Sequence, residues 1–236
     1  MEISYSQLAE YAECPRRYYY RYVEGRSLPK QSEEMAIGSA FHDLLKFILS
    51  HTLFRPTPEE AESRLRSLLS GKLGAEKMEE TMELGRKVIA NLLNEDTTDI
   101  FKIEFHFSLN LGKHTIRGRM DRVDKHNNGE VEIVEYKLHS PGKWRDNLQL
   151  VLYHLAAETL WHPPSIKLSI ASFVENKKES FYLEEKEVME GREKIIHLAS
   201  GIDREDFTPH RGEHCFKCPF YNICFKEIPP ERESLL

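Results

Sequence analysis

The sequence predicts a single α/β domain spanning residues 1–236, and three observations carry that expectation. The chain is long enough to bury one ample core. Residues 131–138, VEIVEYKL, have the composition and period-two alternation of a strand. The segments around them place apolar residues at helical spacing.

Taken in order, residues 4–22 read as helix interrupted at Cys14-Pro15, because the residue before a proline disfavours helical geometry and Pro15 suits a new first turn. A helix around 35–50 follows, with Phe41, Leu44, Leu45, Ile48 and Leu49 as its apolar stripe and His42 beside it. Thr57-Pro58-Glu59-Glu60 is a capping box that opens another helix, expected to stop near Gly71. A helix over about 76–94 has Met78, Met82, Val88, Ile89 and Leu92 on its apolar side. Residues 101–109 and 113–124 form a hairpin joined at Asn110-Leu111-Gly112, and a second turn at 126–129 leads into the 131–138 strand. A helix at about 144–161, strands near 166–174 and 179–184, and a helix at 185–200 complete the core.

Period two puts Val131, Ile133, Glu135 and Lys137 on one face of their strand, with Val134, Tyr136 and Leu138 on the other. A face that begins apolar and ends in two ionisable groups is costly unless those groups are paired or metal-bound, so the strand end should open onto a cleft. Asp121 lies on the preceding strand. Adjacent antiparallel strands bring two such carboxylates together, which is what a hard divalent cation demands. The carbonyl of Tyr136 adds another candidate oxygen, and an ammonium at Lys137 suits an attacking water and a charged phosphate transition state. Gly38, one turn before His42, leaves room near the imidazole for a metal or phosphate. Gln149 and Tyr153, an i, i+4 pair, are expected to point donors at a DNA backbone. Each residue has a plainer competitor: strand charges commonly form surface salt bridges, here with Arg119, Arg122 and Lys137, and a histidine beside an apolar stripe is commonly structural.

Cys14 stands alone near the start, while Cys215, Cys218 and Cys224 form C-x2-C-x5-C near the end. Four thiolates suit one metal site, and if the lone cysteine meets the trio, roughly 200 residues are clamped between two halves of one ligand set. The cluster-binding ends are then 1–30 and 201–236. Tyr18, Tyr19, Tyr20 and Tyr22, with Phe216, Phe220, Tyr221 and Phe225, suit either shielding of that site or stacking on single-stranded bases.

In this order the residues resemble the RecB-like branch of the PD-(D/E)XK nucleases that carry an iron-sulfur cluster. The resemblance covers nearly the whole chain: Cys14-Pro15, Gly38 to His42, Gly118 to Asp121, Glu135 to Lys137, Gln149 to Tyr153, and Cys215 to Cys224. It implies a restriction-endonuclease-like core, a central mixed sheet flanked by helices, with the N- and C-terminal segments joined at the cluster. It further implies that His42, Asp121, Glu135 and Lys137 are catalytic, that His42, Asp121, Glu135 and Tyr136 bind Mg²⁺ or Mn²⁺, and that Cys14, Cys215, Cys218 and Cys224 hold a 4Fe-4S cluster. Glu135 stands where the family more usually has aspartate, and its extra methylene shifts the carboxylate. No G-x4-G-K-[ST] loop occurs. Within the family, the chain looks most like the CRISPR-associated exonuclease that trims DNA before spacer integration. The implied partners are DNA, single-stranded or with single-stranded ends, and CRISPR integrase proteins. A DNA-repair or mobile-element nuclease of the same lineage, or a catalytically silent DNA-holding subunit, carries the same motifs. An electron-transfer role is disfavoured, because ferredoxin-type chains pack their cysteines into short runs.

The net charge of -6 counts against a protein coated in basic surface, but Lys102, Lys113, Arg117, Arg119, Arg122 and Lys125 face only Glu104, Asp121 and Asp124 within their stretch, and Arg16, Arg17, Arg21 and Arg26 form a second one. A basic groove is therefore expected. No apolar run reaches the length of a membrane span, and MEISYSQLAEY has no basic region leading into a hydrophobic core. A cytoplasmic location, with thiols kept for metal rather than disulfides, is expected.

Overall fold

The computed structural model describes residues 1–27, 32–50, 54–140 and 147–228. They fall into two compact units: Met1–Lys30, Asn110–Arg117 and Arg192–Leu236 in one, Gln31–Leu109 and Gly118–Gly191 in the other.

The second unit contains a mixed sheet. Strands β2 (Ile100–Leu111) and β3 (His114–Lys125) form the expected hairpin and continue into the first unit. Strand β4 (Val131–Lys137) runs antiparallel to β3, with Arg122 opposite Val134. Next come β5 (Ile166–Ser172), parallel to β4 with Glu135 opposite Ile170, and β6 (Lys178–Phe181), antiparallel to β5. One face is covered by α3 (Glu33–Leu49), α4 (Pro58–Leu69) and α5 (Ala75–Leu93). Their residues Phe41, Leu44, Leu65, Met82 and Ile89 share a core with Val134 and Tyr136 of β4 and Phe173 after β5. Helix α6 (Leu148–Trp161) reaches the opposite face, where its Tyr153 meets the Glu135 side chain. This is the α/β arrangement, a mixed sheet flanked by helices, that the sequence predicts.

Local chemistry explains the helix ends. Ser32 caps α3, and Thr57 and Glu60 form the anticipated reciprocal box at α4. Helix α4 ends at Leu69, close to the predicted stop. The expected first turn of α6 at 144–146 lies outside the described residues, and Asn147 caps the helix as described, its Oδ1 accepting the Gln149 N–H at 2.9 Å. Gly118 is set by packing, because a Cβ there would run into the Phe107 ring across the hairpin.

The first unit holds β1 (Glu2–Ser4), a three-residue strand that the sequence did not announce, parallel to the start of β3 with Ile3 opposite Ile116. Helix α1 (Tyr5–Glu13) stops at Cys14, and Pro15 opens α2 (Pro15–Tyr18), as expected. The chain then takes a π-helical turn over Tyr19–Val23. Helix α7 (Glu185–Asp203) begins in the second unit and ends in the first, followed by a 3-10 turn at Glu213–Lys217 and α8 (Tyr221–Glu227). No helix among the described residues is long and apolar enough to cross a membrane.

Candidate active site

The second unit gathers His42, Asp121, Glu135, Lys137, Gln149 and Tyr153, the residues singled out from sequence, and adds Glu104. Asp121 is oriented by the backbone: its Oδ2 accepts the Tyr136 N–H at 2.8 Å, just past the last paired residues of β3 and β4. N–H and C=O of one residue in an extended strand point to the same edge, so the Tyr136 carbonyl faces the Asp121 side. The other Asp121 oxygen lies 3.4 Å from His42 Nδ1. That contact is close enough for charge attraction but is not aligned as a hydrogen bond, and His42 Nδ1 is buried with no hydrogen-bond partner. The imidazole packs edge-on against Phe173, and the space beside Gly38 is open.

Glu104 was not foreseen. Within β2 it takes a left-handed backbone, φ 53°, rare for a residue other than glycine and a sign of a position held by its surroundings. Its Oε2 pairs with Arg119 at 2.8 Å, while its Oε1 is buried without a partner. Ligand atoms of His42, Glu104 and Asp121 all lie within 4.8 Å of one another, the one such trio among the described residues. An imidazole and a carboxylate with buried, unsatisfied atoms, grouped with a second carboxylate, form a donor set that fits a hard divalent cation. In the sequence Glu104 falls with Lys102 and His106 on the polar side of a regular alternation with Phe101, Ile103, Phe105 and Phe107, so no local signal marks it.

Glu135 is enclosed by donors. Its Oε1 accepts Lys137 Nζ at 2.6 Å and Gln149 Nε2 at 2.9 Å, and its Oε2 lies 2.8 Å from the Tyr153 hydroxyl. That hydroxyl is also 2.6 Å from the Arg119 carbonyl and accepts from Gln149 Nε2 at 2.7 Å. Gln149 and Tyr153 therefore turn inward and hold Glu135 and Lys137. The expectation that they address a DNA backbone is corrected for Tyr153, which is fully buried with its hydroxyl engaged on every side. Burial, and then the charge of Asp121, push the Glu135 carboxyl above the usual range, with Lys137 opposing. Burial also raises Glu104. At His42 burial disfavours the cation, yet Asp121, Glu135 and Glu104 outweigh it and raise the imidazole.

The expected basic groove is largely spent on internal pairs. Arg119 holds Glu104, Arg117 holds Glu2, Lys113 holds Asp203, and Arg122 is buried against Asp124 and Glu95. In the other basic stretch Arg17 and Arg21 share the buried Glu10, while Arg16 and Arg26 share Glu227. Most of these carboxylates come from other elements of the chain, so the pairs form only in the fold.

In the first unit Cys14, Cys215, Cys218 and Cys224 are all free and line one pocket, open in part to solvent, with Arg16, Tyr20 and Phe220 among its other walls. Burial pushes the Cys218 and Cys224 thiols up. Tyr20 is buried, its ring 5.4 Å from that of Phe220 and its hydroxyl on Glu227, which favours shielding over base stacking for this tyrosine.

A family model described as the PD-(D/E)XK nuclease superfamily matches residues 2–225. Among solved structures, a protein of Eubacterium rectale described provisionally as an exonuclease superposes with a TM-score of 0.61 at 13% identity, over 91% of this chain and 86% of that one. A second, SSO0001, gives a TM-score of 0.45 at 16% identity over 96% of this chain and 87% of that one.

Proposed function

This chain belongs to the PD-(D/E)XK nuclease superfamily, and from that premise we propose that it is a divalent-metal-dependent DNA exonuclease whose site is built by His42, Glu104, Asp121, Glu135 and Lys137. The observation that carries the reading is the pair of buried, partnerless ligand atoms, His42 Nδ1 and Glu104 Oε1, in the same group as Asp121. Nucleases of this superfamily use divalent metals. A cation held by His42, Glu104, Asp121 and Glu135, with the Tyr136 carbonyl on the same strand edge, would supply Lewis acidity and a water of lowered pKa.

The remaining work falls to the chain itself. Lys137, fixed by Glu135 Oε1 and by Gln149 Oε1 at 3.3 Å, places an ammonium where it can orient the attacking water and offset charge on the phosphate. Gln149 and Tyr153 hold the Glu135–Lys137 pair in place by hydrogen bonds to Glu135 and, from Gln149, to Lys137. Arg119 fixes one oxygen of Glu104 and leaves the other free.

The four cysteines line one pocket, and a lone Cys14 with C-x2-C-x5-C differs from the two C-x2-C pairs usual for a four-cysteine zinc site. We assign them to a 4Fe-4S cluster that ties the chain's two ends within one domain. The order of the motifs supports trimming of single-stranded or single-strand-ended DNA in CRISPR adaptation, in the cytoplasm and alongside integrase proteins.

The test is anaerobic purification with an absorbance spectrum and iron count, then cleavage of end-labelled single-stranded DNA with Mn²⁺ or Mg²⁺, wild type beside Lys137→Ala. Iron with Lys137-dependent products is the expected result. Iron without products would replace the enzyme by a DNA-holding subunit, and zinc would overturn the cluster.

A further inference from the structure

An aromatic and lysine patch where β2, β3 and the end of α6 meet is used by neither the carboxylate site nor the cysteine cavity. We propose that Phe101, Phe105, Trp161, Lys102 and Lys125 form a platform that binds single-stranded DNA and leads it to the carboxylate site. The proposal rests on the nuclease reading above for its substrate.

Four observations support it. Phe101 is 41% exposed and Leu160 42% exposed, and the Phe101 and Phe105 rings lie 5.8 and 5.4 Å from that of Trp161, so large apolar surface is left in water beside an aromatic cluster. The ammonium groups of Lys102 and Lys125 lie 4.9 and 5.9 Å from the Phe101 ring centre. Among the described residues neither lysine has a carboxylate in ion-pair range, whereas Lys113, Arg117, Arg119 and Arg122 on the same hairpin each hold one. Last, each of the three elements also carries a residue of the site. Glu104 is about 10 Å along β2 from Phe101, Asp121 about 13 Å along β3 from Lys125, and Tyr153 about 12 Å along α6 from Trp161. The directions agree, because Phe107 packs on Tyr153 while Phe101 and Phe105 pack on Trp161.

An exposed ring with free cations on its face is what an unstacked base and its phosphate require. An ammonium over an exposed ring is weakly held, so an arriving base displaces it and the lysine moves to the backbone phosphate. A duplex offers no unpaired base face, so the patch distinguishes single strands from paired DNA. The competing account is that Phe101 and Trp161 only seal the end of α6 against the hairpin.

The experiment is equilibrium binding of fluorescein-labelled oligothymidylate without divalent metal, at several salt concentrations, for wild type, Phe101→Ala and the double variant Lys102→Glu with Lys125→Glu. Circular dichroism confirms that each variant folds. Phe101→Ala is expected to weaken binding about 5- to 150-fold for one lost stacking contact. The lysine variant, which removes no buried group, is expected to lower the slope of log affinity against log salt by about 0.7 per lysine. Blunt duplex should respond little to Phe101→Ala. Wild-type affinity and slope in both variants would overturn the platform, as would a wild type that binds no oligothymidylate. Because cleavage is scored separately with Mn²⁺, binding without cleavage would sink the nuclease reading and leave the platform standing, and cleavage with unaltered variant binding would do the reverse.

Discussion

Glu132 and Glu135 lie three residues apart on β4, 2% and 4% exposed, and their surroundings treat them in opposite ways. Glu132 is saturated with donors and cations: Lys178 at 2.6 Å, Ser169 at 2.5 Å, Lys167 at 3.2 Å, and His126 at 3.2 Å, itself held by Asp99. Although burial opposes ionisation, those partners bring its carboxyl down to about 2. Glu135 has one cation, Lys137, and a neighbouring acid, Asp121, and its carboxyl is pushed up. That Asp121 is grouped with His42 and Glu104, whose Nδ1 and Oε1 are buried and partnerless. A buried acid with every lone pair answered stabilises the fold. A buried acid beside another acid and two unanswered ligand atoms is a position where the fold tolerates cost, and such positions cluster where chemistry is done.

Substitutions on the two sides should separate. The largest effect is expected from Lys137→Ala, which should lower single-turnover cleavage about 10²- to 10⁴-fold with the melting curve preserved, while Glu132→Gln, assayed under folding conditions, leaves the rate near wild type. Second, Glu132→Gln should cost stability, up to about 3 kcal/mol at neutral pH, measured by urea unfolding. The sign follows from a folded pKa of about 2 below the ordinary 4.5: the stabilisation is present above about 4.5 and is lost as pH falls from there toward 2. The wild-type advantage over Glu132→Gln should therefore shrink in acid. Third, Glu135→Gln in metal-free protein should be neutral or stabilising by about 1 kcal/mol, because it relieves repulsion with Asp121. A destabilisation as large as that of Glu132→Gln would erase the contrast. Fourth, Tyr153→Phe should cost about 1 kcal/mol in urea unfolding, from the hydroxyl that reaches Arg119 and Glu135.

The sequence made one side of this contrast far more legible than the other. VEIVEYKL announced Glu135 and Lys137 because alternation put two charges where two aliphatics had pointed inward, and the helical stripe of α3 placed His42 beside the core. Glu132 gave no such signal: its partners come from β5, β6 and the turn before β4, contacts that no local pattern encodes. Glu104 was hidden by backbone geometry, since the left-handed residue breaks the alternation that a reading of β2 relies on. The arginines misled for a related reason. Their charge was visible in the sequence, but their partners, Glu2, Glu95, Glu10 and Glu227, lie elsewhere in the chain or on a different turn.

Calorimetric titration of metal-free protein with Mn²⁺ tests the contrast most directly, using wild type, Glu132→Gln, Glu104→Gln and Glu135→Gln at one neutral pH. Wild type and Glu132→Gln should bind alike, and Glu104→Gln and Glu135→Gln should each bind at least about tenfold more weakly, the loss of one carboxylate ligand. Equal binding by all four, or a loss confined to Glu132→Gln, would contradict the assignment of the cation to this end of β4.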